Sequence, residues 1–197
     1  MRKNKNVNII LTFLMFVLMM QNVIAATAID INKSTVEWLG TKVTGQHNGT
    51  LSLREGSVLV ESGTLTAGRF VFDMNSIKVL DIEDEKWNLK LENHLKSEDF
   101  FAVEKHPLAV FEILSATPQK GSNNYEIKGD LAIKGITHVV TFNAQVDIHG
   151  SASHAWGKIT LDRTLYDIRY KSGKFFENLG DKTIYDDFII TFDVVTQ

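Results

Sequence analysis

The stretch HVVTFNAQVDI, His138–Ile148, decides the fold class of this chain, because its apolar and polar residues alternate with a period of two. One face carries His138, Val140, Phe142, Ala144, Val146 and Ile148. The other face carries Thr141, Asn143, Gln145 and Asp147. Such alternation is typical of a β-strand that is buried on one side only. The sequence therefore predicts a strand here, with its aromatic and aliphatic side chains in a core.

The same period recurs in most of the chain. Tyr125–Ile133 alternates in the same way, and Lys134–Ile136 then predicts a tight hairpin connection to the next strand. The other inward-facing sets are Val36, Trp38 and Gly40; Phe70, Phe72 and Met74; Ala109, Phe111 and Ile113; Ala155, Gly157, Ile159 and Leu161; and Phe188, Ile190, Phe192 and Val194. With a weaker segment near residues 50–60, about eight strands are expected. This number is typical of a small closed β-barrel.

One segment departs from the period of two and indicates a helix near residues 82–96. Trp87, Leu91 and Leu95 recur every four residues, as an apolar stripe on a helix does. Acidic residues crowd the expected first turn, where the helix dipole favours negative charge, and His94 and Lys96 occupy the expected last turn. We therefore predict an all-β fold with one inserted helix.

The first 25 residues have the pattern of a secretory signal peptide. Arg2, Lys3 and Lys5 precede an apolar run from Ile9 to Met20, and small residues end at Ala25. A run of 12 apolar residues is shorter than the roughly 20 that a membrane-spanning helix needs. We expect export, to the periplasm if the source is a diderm bacterium and otherwise into the medium.

Removal of residues 1–25 would leave one domain, residues 26–197. It would also remove three basic residues, so 18 basic residues would face 24 acidic ones and the net charge would change from −3 to −6. This balance argues against a nucleic-acid or anionic-membrane surface, for which a basic patch is expected. The chain has no cysteine, which excludes disulfides and thiolate chemistry.

The inward-facing residues differ strongly in size. Trp38, Phe72, Phe111, Phe142 and Phe192 are large, whereas Gly40, Gly68, Ala109, Gly129, Ala144, Ala155 and Gly157 are small. If the small residues cluster, they leave a hollow lined by aromatic rings, and an eight-stranded barrel can hold one small ligand. Small and large residues can also alternate simply to fit the taper of the barrel. Spacing alone leaves both interpretations open.

Several motifs, in order along the chain, resemble those of the YceI-like family. They are WLGTK at Trp38–Lys42, GQHNG at Gly45–Gly49, HLKS at His94–Ser97, DFF at Asp99–Phe101 and GDLAIKG at Gly129–Gly135. The resemblance covers nearly all of residues 26–197. Two departures are visible. Ala132 stands where the family usually has threonine, and the run from Leu161 to Asp167 matches the family pattern only loosely.

The resemblance implies an exported, lipocalin-like, eight-stranded antiparallel β-barrel that encloses an isoprenoid chain. Family members are associated with isoprenoid quinones or polyprenyl phosphates and are not known as enzymes. The expected ligand is therefore a non-covalently bound isoprenoid lipid, held for carriage, storage or sensing, with no further cofactor and no metal. Transient membrane contact would accompany lipid exchange, and nucleic acid is not an expected partner. The oligomeric state stays open.

Two sets of candidate site residues follow. We expect the lipid tail to contact the barrel lining, namely Trp38, Gly40, Phe70, Phe72, Phe100, Phe101, Phe111, Gly129, Phe142, Gly157 and Phe192. Lys42 shares its strand phase with Trp38 and Gly40, so it is the leading candidate for a contact to the head group, together with His47, His94 and Arg163. The alternative for Lys42 is a rim lysine that extends its ammonium group into solvent.

Two other classes of function compete with lipid binding. The first is a metal-dependent hydrolase that uses some of the six histidines, although these lack an HExxH or comparable ligand spacing. The second is a barrel with a filled core that serves as an interaction module.

Overall fold

The computed structural model describes residues 26–150 and 152–197, and the expected signal peptide lies outside these residues. Nine strands and one helix are present in this part of the chain. The strands are β1 Thr27–Ala28, β2 Thr35–Lys42, β3 Gly45–Glu61, β4 Thr64–Val79, β5 Leu108–Pro118, β6 Asn124–Ile133, β7 Ile136–His149, β8 Ala152–Asp162 and β9 Ile184–Val195. Helix α1 spans Glu85–Lys96, and two 3₁₀ turns span Arg163–Tyr166 and Gly180–Lys182.

Strands β2 to β9 form a closed antiparallel barrel. Each of these strands pairs with its neighbours in the chain, and β2 pairs with β9 to close the ring. The short strand β1 adds only to the second half of β3, through Thr27 and Val58. The predicted eight-stranded antiparallel barrel with one inserted helix is confirmed. The helix lies in the connection from β4 to β5, at the end of the barrel where β2 ends and β9 begins, which we call the cap end.

Strand β7 has the burial that its sequence pattern predicts. Along β7, Ala144 and Val146 are buried, whereas the residues between and beside them, Asn143 and Gln145, are exposed. The neighbouring strand β6 buries every second residue from Tyr125 to Ile133. The two strands pair in register, with Phe142 opposite Ile127. Because the side-chain period is two, this register places both apolar sets inside the barrel.

Helix α1 begins after Asp84, whose carboxylate accepts a hydrogen bond from the backbone N–H of Trp87. The predicted apolar stripe is wrong at its first member. Trp87 is 53% exposed, with the ammonium group of Lys90 4.7 Å from its ring, and the stripe that faces the barrel is instead Asn88, Leu91, Glu92 and Leu95. In the described part of the chain no helix is both long and apolar enough to cross a membrane.

Two polar side chains of this stripe attach the helix to the end of β4. Buried Glu92 accepts hydrogen bonds from the backbone N–H of Val79 at 3.1 Å and from the ammonium group of Lys78 at 3.2 Å. Asn88 donates its amide to the carbonyl of Val79 at 2.9 Å. Together they satisfy both backbone groups of the last residue of β4, as a neighbouring strand would do. A polar residue in the stripe is therefore part of the packing of the helix.

Removal of this attachment should cost stability. We expect Glu92→Ala to lower the free energy of unfolding by about 1–3 kcal/mol, because the buried N–H of Val79 loses its acceptor. The matched control is Glu85→Ala in the exposed first turn of the same helix, where loss of a favourable charge–dipole interaction costs roughly 0.3–1 kcal/mol. Urea unfolding of both variants measures the difference. Equal losses would show that Glu92 does not hold α1 on the barrel.

Candidate ligand-binding cavity

The barrel encloses a cavity of about 220 Å³, and its wall is almost entirely apolar. A cavity of about 150 Å³ with an apolar lining is large enough to hold a benzene-sized molecule. Nine of the predicted lining residues contribute to this wall: Trp38, Gly40, Phe70, Phe72, Phe100, Phe101, Phe111, Phe142 and Phe192. The interior is therefore hollow, which the sequence alone left open.

The cavity runs along the barrel between two covered ends. At the end opposite the cap, buried Ile29, Val58 and Leu65 form the wall, and Ile29 is held by a bridge to Thr196. At the cap end the wall is formed by Leu95 of α1 and by Phe100 in the segment that follows it. Because apolar lining residues extend from one end of the barrel to the other, the cavity suits a chain-like apolar ligand better than a compact polar one.

Four phenylalanine rings, from β4, β5, β7 and β9, pack against one another inside the barrel. Phe70 and Phe111 have ring centroids 6.3 Å apart, Phe111 and Phe142 5.7 Å, and Phe142 and Phe192 5.9 Å. These distances lie within the range of favourable aromatic pairs, which is about 4.5–7 Å. The rings form a continuous series of aromatic contacts from β4 to β9, which we call the aromatic wall.

Gly129 and Gly157 do not line the cavity, and their prediction as barrel lining is wrong. A Cβ atom at Gly129 would lie 2.4 Å from the ring of Phe111, and one at Gly157 would lie 3.0 Å from the ring of Phe192. The two glycines therefore make room for the aromatic wall. Gly40 differs from both, because a Cβ atom at this position would meet no other atom within 4 Å. Among the three predicted glycines, only Gly40 faces open space.

The wall is interrupted between β2 and β9 near Gly40. The pairing passes from Gly40 opposite Phe188 to Lys42 opposite Ile184, so one residue on β2, Thr41, faces the three residues 185–187 on β9. This bulge changes the direction in which the side chains of β9 point. Tyr185 and Asp187 line the cavity and are also exposed. The interrupted ladder is therefore the place where the cavity reaches the surface, and we call it the β2–β9 gap.

The structure does not assemble the four predicted head-group residues on the cavity wall. Lys42 is partly buried at the last position of β2, beside the β2–β9 gap, and forms no ion pair with any residue in the described ranges. His47 Nδ1 lies 2.8 Å from Asp81 Oδ2, and His94 Nε2 lies 2.8 Å from Asp99 Oδ2. Only Arg163 contributes to the wall.

Arg163 is buried and its guanidinium group is already occupied. It donates hydrogen bonds to the carbonyls of Tyr185, Ile168 and Ile184 at 2.9–3.0 Å, and it lies 3.4 Å from a carboxylate oxygen of Asp186. Burial lowers its pKa, and the nearby carboxylate of Asp186 opposes this effect. Its contacts fix the connection after β8 to the start of β9, so Arg163 supports the rim of the cavity.

The residues around this arginine were not among the predicted site residues. Ile168 is almost fully buried and lines the cavity at the cap end. Tyr166 packs edge-on against His138 at 5.3 Å, and burial without a hydrogen-bond partner raises the pKa of its hydroxyl to about 12. Two adjacent acids, Asp186 and Asp187, break the alternation of β9, and this break is the feature of the sequence that indicates the gap.

No three His, Cys, Asp or Glu side chains within residues 26–150 and 152–197 are grouped to hold a metal ion.

A closed eight-stranded barrel with a hollow apolar interior belongs to the class of barrels that can hold one small ligand. The particular family follows from comparison with known proteins. The YceI-like domain matches residues 28–196, so the chain belongs to the YceI-like family.

The chain is also similar in sequence to curated UPF0312 proteins. A UPF0312 protein of Photorhabdus laumondii is 28% identical over 140 residues, which cover 66% of this chain and 70% of the relative. A UPF0312 protein of Pseudomonas putida strain W619 is 27% identical over 110 residues, which cover 56% of this chain and 53% of the relative.

Solved structures share the fold. Burkholderia cenocepacia BcnA superimposes with a TM-score of 0.67 at 21% identity, over 86% of this chain and 99% of that one. A polyisoprenoid-binding domain from Saccharophagus degradans gives a TM-score of 0.63 at 11% identity, over 87% of this chain and 98% of the domain. A Campylobacter jejuni YceI protein gives 0.54 at 14% identity, over 75% and 84% of the two chains.

The open space at Gly40 allows a direct test of the cavity. Because a Cβ atom at this position meets no other atom within 4 Å, Gly40→Leu should fill part of the cavity and should weaken the binding of an apolar fluorescent probe by roughly 2–3 kcal/mol, the burial of three or four CH₂ groups. The control Gly173→Leu places the same side chain on an exposed glycine outside the cavity. Probe titration and thermal melting of both variants decide the outcome. Unchanged probe affinity in a folded Gly40→Leu variant would place the binding site elsewhere.

Proposed function

We propose that this protein is an exported lipid-binding protein that holds the chain of an isoprenoid lipid in its barrel. The observation that carries the proposal is the apolar cavity, which extends from Ile29 at the far end to Phe100 at the cap end. Membership of the YceI-like family and the fold shared with a polyisoprenoid-binding domain support an isoprenoid over other apolar chains.

The physics of the cavity favours a long apolar tail. Each buried CH₂ group contributes about 0.8 kcal/mol, so a tail of about ten carbons supplies roughly 8 kcal/mol before the costs of ordering. The aromatic wall adds flat surfaces against which the methyl branches and double bonds of a prenyl chain pack. No covalent step is needed for such binding, and we propose that the protein is not an enzyme.

The charges around the β2–β9 gap bear on the head group. At the end of β8, Asp162 lies 2.6 Å from Lys174, and at the start of β9, Asp186 lies 3.7 Å from Lys174 and 3.4 Å from Arg163, with Asp187 as the next residue. Lys42 across the gap brings this local count to three acids and three bases. An anionic phosphate therefore finds no excess of positive charge here. The balance favours an uncharged head group, such as that of an isoprenoid quinone, over a polyprenyl phosphate.

Export and the biological use of the lipid are parts of the same proposal. The basic and apolar pattern of residues 1–25 supports transport out of the cytoplasm, to the periplasm of a diderm host or otherwise to the medium. A barrel that covers its ligand at both ends suits carriage or storage, because the tail is shielded from water. Neither competing class has a specific supporting observation, and a cavity of about 220 Å³ disfavours a filled-core interaction module.

Lipid extraction tests the ligand. Protein purified from its native compartment without detergent should release an isoprenoid lipid into organic solvent, identified by mass spectrometry, and Gly40→Leu should carry less of it than Gly173→Leu. Both variants add the same side chain, and only that of Gly40→Leu points into the cavity. Extracts that contain no isoprenoid, from wild-type protein never exposed to denaturant, would contradict the proposal.

Paired ligands test the head group. With tails of equal length, we expect a quinone to bind the wild-type protein more tightly than a polyprenyl phosphate. Asp187→Asn should improve phosphate binding by up to about 1 kcal/mol, and Lys42→Met should weaken it by a similar amount, since both charges are partly solvated. Quinone binding should change little in either variant. Competition titrations give the affinities. If neither substitution changes the affinity for the polyprenyl phosphate, these residues do not belong to the head-group site.

A further inference from the structure

The exposed apolar side chains are unevenly distributed over the barrel. Twelve large ones are exposed among the described residues, and nine of these lie at the cap end, on α1 or in the connections and strand ends there: Val43, Leu80, Trp87, Leu89, Leu108, Leu165, Phe175, Phe176 and Tyr185. The opposite end has Ile31. Clusters of this kind on a soluble domain mark surfaces that bind proteins or membranes.

Five of the nine form what we call the apolar rim: Val43, Leu165, Phe175, Phe176 and Tyr185. Each is between 45 and 50% exposed. They belong to the β2–β3 hairpin, the β8–β9 connection and the start of β9. Backbone hydrogen bonds join these segments, from Val43 to Thr183 at 3.1 Å and from Ile184 to Lys171 at 3.0 Å. The rim is therefore a connected part of the fold.

The rim is continuous with the cavity. Tyr185 is half-exposed on the surface and also lines the cavity at the β2–β9 gap. An apolar side chain that belongs to both surfaces leaves an apolar path between the interior and whatever contacts the rim. Such a path matters for a lipid tail, because each buried CH₂ group shifts the partition equilibrium from water to the cavity by roughly fourfold. For a tail with ten such groups, the equilibrium favours the cavity over free water by roughly a millionfold.

We propose that the apolar rim inserts into the surface of a lipid membrane and that the tail passes between the bilayer and the cavity through the β2–β9 gap. This inference rests on the proposed function, since it assigns a surface and a route to the same lipid ligand. The occupant of the rim is a bilayer because the ligand's own environment is a bilayer. Tyrosine and phenylalanine suit the headgroup boundary, where one part of a side chain is apolar and its surroundings are partly wet.

The mode of membrane contact follows from charge. The balanced acids and bases at the start of β9, together with a sequence that is negative in total, provide no basic patch for anionic lipids. We therefore expect attachment through apolar insertion. Binding should occur on zwitterionic vesicles, should not require anionic lipid and should persist when salt is raised, because screening weakens only charge-based contacts.

Vesicle flotation tests this assignment on the protein purified from its host. The double variant Phe175→Ser/Phe176→Ser removes two rim rings that do not line the cavity, and Ile31→Ser/Leu114→Ser is the matched control away from the rim. On phosphatidylcholine vesicles, with and without phosphatidylglycerol, we expect the rim variant to lose roughly tenfold in partitioning, and the control to match wild type. Both should melt near the wild-type temperature.

The same variants separate the surface from the cavity. Flotation on vesicles that lack isoprenoids does not depend on the proposed ligand. The proposed membrane contact can therefore be disproved while the proposed lipid binding is upheld, and lipid binding can be disproved while membrane contact is upheld. The rim variant should still bind an apolar probe added from solution, but should take it up more slowly from vesicles. Flotation of the rim variant equal to that of wild type would overturn the inference. The inference would also be overturned if the wild-type protein did not bind vesicles and instead formed a dimer, measured by sedimentation velocity, that is lost in the rim variant.

Discussion

The pairing of β2 with β9 is the constraint on which the rest of the structure depends. It closes the sheet into a ring, so every strand from β2 to β9 has hydrogen-bonded neighbours on both sides and the interior needs no polar groups to satisfy the backbone. Closure thus permits an apolar interior that stays partly empty. The same pairing is interrupted once, between Gly40 and Lys42, and the cavity reaches the surface there. Stability and access therefore depend on one pair of strands.

The cap end shows how polar residues support this arrangement. Glu92 and Asn88 attach α1 to the last residue of β4, and Arg163 attaches the β8–β9 connection to the first residues of β9. The indole N–H of Trp38 donates to the carbonyl of Lys78 at 3.1 Å, which positions this ring in the cavity wall. In each case a buried or partly buried polar group binds the backbone at a strand end, where the barrel ladder no longer provides a partner.

Much of the architecture was predictable, because period-two alternation reports which side of a sheet a residue faces. It gave the strands, the aromatic lining and the position of the helix. It could not report what lies opposite a residue, since the partner comes from a distant strand. For this reason Gly129 and Gly157 were predicted to create space, whereas they accommodate Phe111 and Phe192. Trp87 was predicted to be buried for a similar reason, because a polar Asn88 occupies the inward position beside it.

We propose that a lipid occupies the barrel interior, and a crystal structure of protein taken from its native compartment without detergent tests this proposal. We expect continuous, elongated electron density along the cavity, from the region of Ile29 past the four phenylalanine rings to Phe100, with an opening toward Tyr185. Lining side chains that close over the cavity and leave no room for such density, in protein never exposed to denaturant, would contradict it.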